Sequence, residues 1–446
     1  MKTKIDTFVN TDSGKGHMLK LHFKRADKTK KLMQTIMTTL GVAMIIIVMT
    51  MWQTPAMDAT LVRKNVVDLT PQEKADFVNA VKTLKNTIPP GSNVSLYDQF
   101  IAVHLGAMTF SSMLPGGIDV QNQDMTLQAS GSAAGADAAH GNAGFLPWHR
   151  EYLRRFEIAL QSVNPSVTIP YWDWTDPKAL DVIFQPDFLG TNGSEVTINV
   201  PGQGSFEGGA VQSGNFSEAN GWVLNEDLHI NVFTNETLGK SLLRFLQVPP
   251  FEKYPLPQAE INTLLNINDY ITFRRALEGE IALNQNSNYT FEVFADPFGN
   301  QFGLVTHNYI HSLIGGALSD LTQSPPALIA PLGTMSQIPS SPYDPVFWLL
   351  HANVDRLWAE WQKKGHKGSD FYPSANQPYG HNLNDRMWPW DGGQSTPRNL
   401  GRVDVKLYLP AFAPDDIVTP RDTLSVRKYG YTYDTLVKKF PNQVQH

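Results

Sequence analysis

From about residue 66 onward, apolar positions recur at helical spacing between stretches that turn. Thr70-Pro71-Gln72-Glu73 reads as a capping box with proline at the first helical position, and Phe77, Val78, Val81 and Leu84 then mark one apolar helix face. Ser95-x-x-Asp98 opens a second helix, which carries Phe100, Ile101 and His104. A third is expected from Pro147 through Leu153, Phe156 and Leu160 toward Ser162. The same pattern returns over residues 273–281, 304–314 and 344–361, the last with Asp344 as N-cap and Pro345 as its first residue. Residues 131–144 form a Gly/Ala-rich loop. Residues 176–270 lack strong periodicity and 202–214 are rich in Gly and Ser, which reads as surface loops decorating one core. After residue 370 Pro and Gly punctuate short β-like runs such as 403–409. No repeat of fixed period is present.

The N-terminal region has a different texture. Residues 32–52 are 21 positions without a charge, a length that spans about 30 Å as a helix, one bilayer core. The 31 residues before them carry nine basic and three acidic groups, a net of +6, so the total of −6 hides a remainder of −12. Basic residues stay on the cytoplasmic side. The expectation is therefore a basic arm at 1–31, a single transmembrane helix at 32–52 acting as a signal anchor, and an extracytoplasmic chain beyond about residue 53. The alternative is secretion after signal cleavage near Thr54-Pro55-Ala56, for which both the arm and the apolar run are long. A folded domain is expected over 66–435, followed by a short tail at 436–446.

Composition narrows the chemistry. With 41% apolar and 17% charged residues among 446, the chain is globular and long enough for a large core. It has no cysteine, which excludes disulfides, thiolate zinc sites, iron–sulfur clusters and cysteine nucleophiles. Any bound metal must use His, Asp or Glu. No basic face is implied outside the arm, so no nucleic-acid partner is expected. The chain does have twelve histidines. His307 and His311 are four apart and share a helix face. His149 lies near the start of the third helix, with His140 nine residues earlier, while His104 and His351 sit within apolar helical runs. One histidine on an apolar face is usually a satisfied core residue; six converging are hard to satisfy without a metal.

The flanking residues carry a resemblance. Phe145-Leu146-Pro147-Trp148-His149-Arg150 and Ser341-Pro342-Tyr343-Asp344-Pro345-Val346-Phe347-Trp348-Leu349-Leu350-His351-Ala352-Asn353-Val354-Asp355-Arg356 resemble the two copper signatures of the tyrosinase family. His307-Asn308-Tyr309-Ile310-His311 with Gly315-Gly316, and Ile169-Pro170-Tyr171-Trp172-Asp173-Trp174, resemble further family segments in the right order. The resemblance implies a mainly α fold, with a central four-helix bundle holding a dicopper centre, long loops and a few short β-strands. It assigns His104, His140 and His149 to the first copper and His307, His311 and His351 to the second. Imidazole suits copper, which heads the divalent affinity series. In the family the copper pair binds dioxygen as co-substrate. No flavin fingerprint is present.

Three further positions follow from the resemblance. Asn308 and Glu278, the latter in the family-like segment 273–279, are implied to orient a water that deprotonates an incoming phenol. Glu278 lies 29 positions before His307, and its alternative is a solvated helix charge. Asp355 is implied as a partner behind the ligands or a salt-bridge former. The chain departs from the pattern at Leu350, where the family usually has a histidine, and at Ala138, where many fungal and plant members place a cysteine cross-linked to a histidine. Residues between Gly316 and Ser341 form an insertion over the second site. Tyr431-x-Tyr433 resembles the motif closing the family's core, and with 13 residues after it no C-terminal lid is expected, which favours an enzyme over an oxygen carrier.

The leading expectation is a copper-dependent phenol oxidase that ortho-hydroxylates monophenols and oxidises o-diphenols to o-quinones. A catechol or o-aminophenol oxidase without monophenol activity and a haemocyanin-like oxygen- or copper-binding protein are the alternatives. The expected partners are a phenolic small molecule, the membrane through the N-terminal helix, and a copper-delivery protein. Sequons at Asn93, Asn192, Asn215, Asn235 and Asn288 matter only in a glycosylating host. His17, His22, His229, His366, His381 and His446 are left without a role.

Overall fold

A computed structural model of the chain describes residues 61–108, 113–114, 118–119, 137–231, 234–281, 293–295, 301–303, 307–323, 327–397 and 399–437. The basic arm, the apolar segment 32–52 and the tail beyond 437 lie outside these residues. Among the described residues no helix is long and apolar enough to cross a membrane.

The longer helices are α1 (Pro71–Asn86), α2 (Leu96–Ala107), α3 (Phe145–Val163), α4 (Tyr270–Glu278), α5 (His307–Gly315) and α6 (Val346–Lys363). The fold is mainly helical, as the sequence implied. Both anticipated capping boxes are formed: Thr70 accepts from the Glu73 amide and Ser95 from that of Asp98, with each carboxylate returning to its cap. Helix α3 begins two residues earlier than expected. Gly144 is its N-cap, held by a 2.8 Å bond from its amide to Asn142 Oδ1, and Pro147 sits within the first turn, where no amide is needed. Helix α4 stops at Glu278 because Gly279 turns left-handed, with φ of 108°. Asp344 is not the N-cap of α6. It ends the preceding turn, gives both oxygens to Arg244 at 2.7 Å, and still accepts the Val346 amide at 3.1 Å.

Strands are short: β1 (Leu61–Arg63), β2 (Ser194–Val200), β3 (Gly204–Ala210), β4 (Leu243–Arg244), β5 (Val293–Ala295), β6 (Gln301–Gly303), β7 (Ala317–Asp320), β8 (Ala327–Pro331) and β9 (Tyr431–Tyr433). The loop reading of 176–270 is corrected here. Strands β2 and β3 form an antiparallel hairpin extended by β4, and Val200, Phe245 and Val248 make a small apolar core beneath it. Glycines hid this hairpin, since Gly208 and Gly209 leave no side chain to alternate. The β-like run 403–409 is also corrected: it contains a single bridge, Leu400 to Val403, and a helical turn at Val405–Leu407. The insertion after Gly316 pairs β7 with β8 in a sheet of order β6-β5-β8-β7. Strand β1 pairs in parallel with β9, which ties residues 61–63 to residues 431–433.

Helix α3 packs on α6, and α5 on α6 and α4. The seam between α3 and α6 is aromatic. Phe156 stacks on Trp348 with centroids 3.5 Å apart and planes at 5°. Trp348 Nε1 donates to Tyr97 Oη at 2.9 Å and Tyr97 donates to the Pro342 carbonyl at 2.6 Å, while Tyr152 donates to the Phe100 carbonyl at 2.7 Å. Truncating buried rings of this size costs about 3–5 kcal/mol each, so the backbone of α2, α3 and α6 is held firmly where their histidines project.

Candidate metal centre

Five of the six singled-out histidines lie on helices: His104 on α2, His149 on α3, His307 and His311 on α5, and His351 on α6, while His140 lies in the loop before α3. The structure brings them into two groups, His104 with His140 and His149, and His307 with His311 and His351. Within each group the candidate ligand nitrogens lie within 4.8 Å of one another. The groups adjoin: the His149 and His351 rings stack with centroids 4.2 Å apart at 11°.

The outer nitrogens explain why the rings face inward. His104 Nδ1 lies 3.1 Å from the Pro339 carbonyl, His149 Nδ1 2.9 Å from that of Phe145, and His311 Nδ1 2.7 Å from that of Met335. His307 Nδ1 faces Asn308 Oδ1 at 2.9 Å, and His140 Nδ1 faces Asp137 Oδ2 at 3.3 Å. An oxygen acceptor fixes the proton on Nδ1 and leaves the Nε2 lone pair pointing into the site. His351 differs, because its Nδ1 is buried without a partner among the described residues.

On the inner side, Nε2 of His104, His140 and His149 is buried with no hydrogen-bond partner among the described residues. His307 Nε2 lies 3.1 Å from both His311 Nε2 and His351 Nε2. Three imidazole acceptors aimed at each other cost free energy unless a cation lies among them. Burial pushes His104, His149, His307 and His351 well below the usual imidazole range and His311 down to about 4. Shifts in this direction favour the neutral imidazole, the form that binds a metal. His140 is the exception: burial lowers it, but the Asp137 carboxylate outweighs burial and holds it above the ordinary value. This donor set fits two copper ions. It offers six imidazoles and no carboxylate within either triad.

Glu278 is buried at the end of α4, so the separation in sequence is closed in space and the solvated-charge alternative is corrected. Its Oε1 accepts the amide of Gly141, next to His140, at 2.8 Å, and its Oε2 accepts from Arg274 at 2.6 Å. Burial pushes its carboxyl up to about 7 although Arg274 pulls it down. Asn308 is half-buried beside His307. Asp355 meets Arg150 at 2.5 Å, Arg63 at 3.4 Å, and the hydroxyls of Tyr431 and Tyr433 at 2.6 Å. None of these partners is a site histidine, so Asp355 joins α6 to α3, β1 and β9 as an ion-pair hub.

Several residues around the site had no assigned role. Phe347 lies 4.2 Å from His351 and 5.1 Å from His104, and Phe145 4.8 Å from His149 and 5.0 Å from His307, so each ring borders both triads. Both stand inside the motifs that carry the resemblance. Asp137 stands three residues before His140, a spacing visible in the sequence. His381 is buried against Gly144, and neither ring nitrogen has a partner among the described residues.

Residues 94–364 match the family model "Common central domain of tyrosinase". A tyrosinase from Streptomyces glaucescens is 33% identical over 350 residues, covering 76% of this chain and 95% of that protein. A grixazone synthase from Streptomyces griseus is 30% identical over 363 residues, again covering 76% of this chain and 95% of that protein. Among solved structures, a polyphenol oxidase from Thermothelomyces thermophila superposes with a TM-score of 0.50 at 20% identity, covering 84% of this chain and 88% of the other, which speaks to the fold.

Proposed function

The chain belongs to the tyrosinase family of copper oxidases, and on that premise we propose that it ortho-hydroxylates monophenols and oxidises o-diphenols to o-quinones with dioxygen. The observation that carries the reading is the pair of histidine triads, the first with three inward Nε2 atoms that have no partner among the described residues and the second with its three Nε2 atoms turned on one another at 3.1 Å. In this proposal the six histidines hold two coppers, which bind and activate dioxygen when present. The four helices that bear five of these histidines would form the bundle that the resemblance implies. The remaining work falls to the chain's own groups. Phe145 and Phe347 wall both triads and keep water away from the histidines. A carboxyl near 7 is poised to hold a water and take a phenol proton at neutral pH, which supports Glu278 as the base. Asn308 fixes the tautomer of His307 through its Oδ1, leaving its amide nitrogen to meet the same water.

A second reading is kept for one reason. The grixazone synthase relative shows that proteins about this similar carry names other than tyrosinase, so a catechol or o-aminophenol oxidase lacking monophenol activity is the nearest rival. Oxygen uptake by the copper-loaded protein with tyrosine, a catechol and an o-aminophenol separates the readings. Uptake with all three, or with the first two, supports the proposal; uptake with the catechol or aminophenol alone moves the chain to the rival. No uptake with any, despite two bound coppers, leaves the haemocyanin-like reading instead. We further propose that residues 32–52 anchor the chain with its catalytic domain outside the cytoplasm.

A further inference from the structure

Of the six site histidines, His140 is the one that no helix carries, so its ring needs another means of orientation. Its loop is tied at both ends. The Ala138 amide donates to the Ala107 carbonyl at the end of α2 at 2.8 Å, and the hydroxyls of Tyr270 and Tyr372 both donate to the Ala143 carbonyl, at 2.7 and 3.1 Å. Between these ties Asn142 Nδ2 donates to the carbonyls of Asp137 at 2.7 Å and His140 at 2.6 Å. These bonds place the backbone but leave the imidazole free to turn and to choose its tautomer.

Asp137 removes that freedom. Its Oδ1 accepts the amides of Ala139 at 2.7 Å and His140 at 2.9 Å, which fixes the plane of the carboxylate. His140 Nδ1 lies 3.3 Å from Oδ2, which accepts no backbone amide among the described residues, and 3.4 Å from Oδ1. The carboxylate accepts, so in the neutral imidazole, the form that binds a metal, the proton sits on Nδ1 and Nε2 carries the lone pair. We propose that Asp137 is a positioning residue that sets the tautomer of His140 and thereby holds copper in the first triad. The proposal rests on the dicopper reading above.

The geometry makes an unusual forecast for two substitutions. In Asp137→Asn the amide oxygen keeps the two backbone bonds, already carries two donors there, and puts the NH2 group at the place of Oδ2, the nearer of the two oxygens to Nδ1, donating toward it. That turns Nδ1 into an acceptor and moves the proton to Nε2, so the metal-facing lone pair is lost while the loop survives. Asp137→Ala loses the backbone bonds but imposes no tautomer. If Asp137 merely braced the loop, alanine would be the more damaging change for everything measured. If it sets the tautomer, copper loss and stability run in opposite orders.

The test uses the full chain loaded with copper and dialysed against a graded chelator, with copper per chain, the EPR signal of isolated Cu(II), and the thermal midpoint of the metal-free protein all recorded. The expected result is a wild type that retains two coppers. Asp137→Asn should melt near the wild type yet lose one copper at roughly 10–100-fold lower chelator, leaving an isolated Cu(II) signal from the second triad. Asp137→Ala should melt lower but keep the first copper better than the asparagine variant. The proposal is overturned if Asp137→Asn retains both coppers like the wild type, or if copper loss follows the order of melting. A wild type that binds no copper pair would instead sink the dicopper reading, which makes the two failures distinguishable.

Discussion

Asp355→Ala should be among the most destabilising single changes available in this domain, without acting on the metal directly. Asp355 is the carboxylate that compensates Arg150, whose guanidinium is fully buried and whose other acceptors, Gln362 Oε1 at 3.2 Å and the Thr423 carbonyl at 2.9 Å, are neutral. Arg63, also fully buried, is less dependent, because Glu157 holds it with two bonds of 3.0 Å. Stranding one buried charge costs about 3–5 kcal/mol. The Tyr431 and Tyr433 hydroxyls also lose their shared acceptor, Oδ2. Each buried donor left unsatisfied costs about 1–3 kcal/mol, and groups sharing one partner do not add fully. The combined loss is roughly 5–7 kcal/mol, against about 5–15 kcal/mol for a whole domain. Asp355→Asn keeps an acceptor oxygen and should lose about half as much.

Urea unfolding of the metal-free protein, read as the shift in midpoint at constant slope, measures this. A loss below about 1 kcal/mol for Asp355→Ala would refute the hub. So would unchanged stability with impaired copper binding, since Asp355 would then be supporting His351. The pH dependence supplies an independent sign. Burial raises the Asp355 carboxyl, but Arg150 and Arg63 outweigh it and hold it below the ordinary aspartate value. A depressed carboxylate stabilises fully above its unfolded value of about 3.9 and loses that contribution as pH falls through the folded value. The gap between wild type and Asp355→Asn should therefore be flat from about pH 7 to 5 and narrow below about pH 4.

Other outcomes follow from the same contacts. Glu278→Gln and Asn308→Ala should slow monophenol oxidation by about 10²-fold or more while diphenol oxidation, which needs less help with the proton, falls less; equal losses in steady-state oxygen uptake would remove their proposed role. Gly144→Ala places a Cβ 2.5 Å from His381 Nδ1 and 3.0 Å from Asn142 Oδ1, which should cost about 1–3 kcal/mol. Adding His381→Ala should recover part of it in a thermal double-mutant cycle, and strict additivity would show that the imidazole is not the obstacle. The full chain expressed in a bacterium should sediment with membranes and require detergent for release, whereas a chain lacking residues 1–53 should be soluble. An intact N-terminus in the soluble fraction would refute the anchor, and a mature N-terminus near residue 55 would favour signal cleavage.

Much of the site was readable along the chain because its information is local. A histidine pair four apart on α5 and the runs around His149 and His351 place ligands by helix geometry alone, and short side chains at Thr70 and Ser95 announce their helices through capping. His104 was the hardest ligand to identify, since it sits on an apolar face with no motif around it, and only its neighbours in space distinguish it from a core residue. The β2–β3 hairpin was missed because glycine-rich strands lack the alternation that announces a strand. The run at 403–409 has strand composition but finds no partner strand, and pairing rather than propensity makes a sheet.

The sequence by itself determined the chemistry: no cysteine, twelve histidines, and a set of motifs that admits an imidazole-bound copper pair and little else. Tertiary structure decided the roles that depend on distance across the chain. It buried Glu278 beside Gly141 and thereby raised its carboxyl, it turned Asp355 into the partner of two arginines, and it set Asp137 behind the one ligand that lacks a helix. The physical reason is the same in each case. Residue type and spacing fix which atoms can bind a metal or a proton, whereas desolvation and charge pairing, which set protonation and tautomer, arise only from groups that the fold brings together.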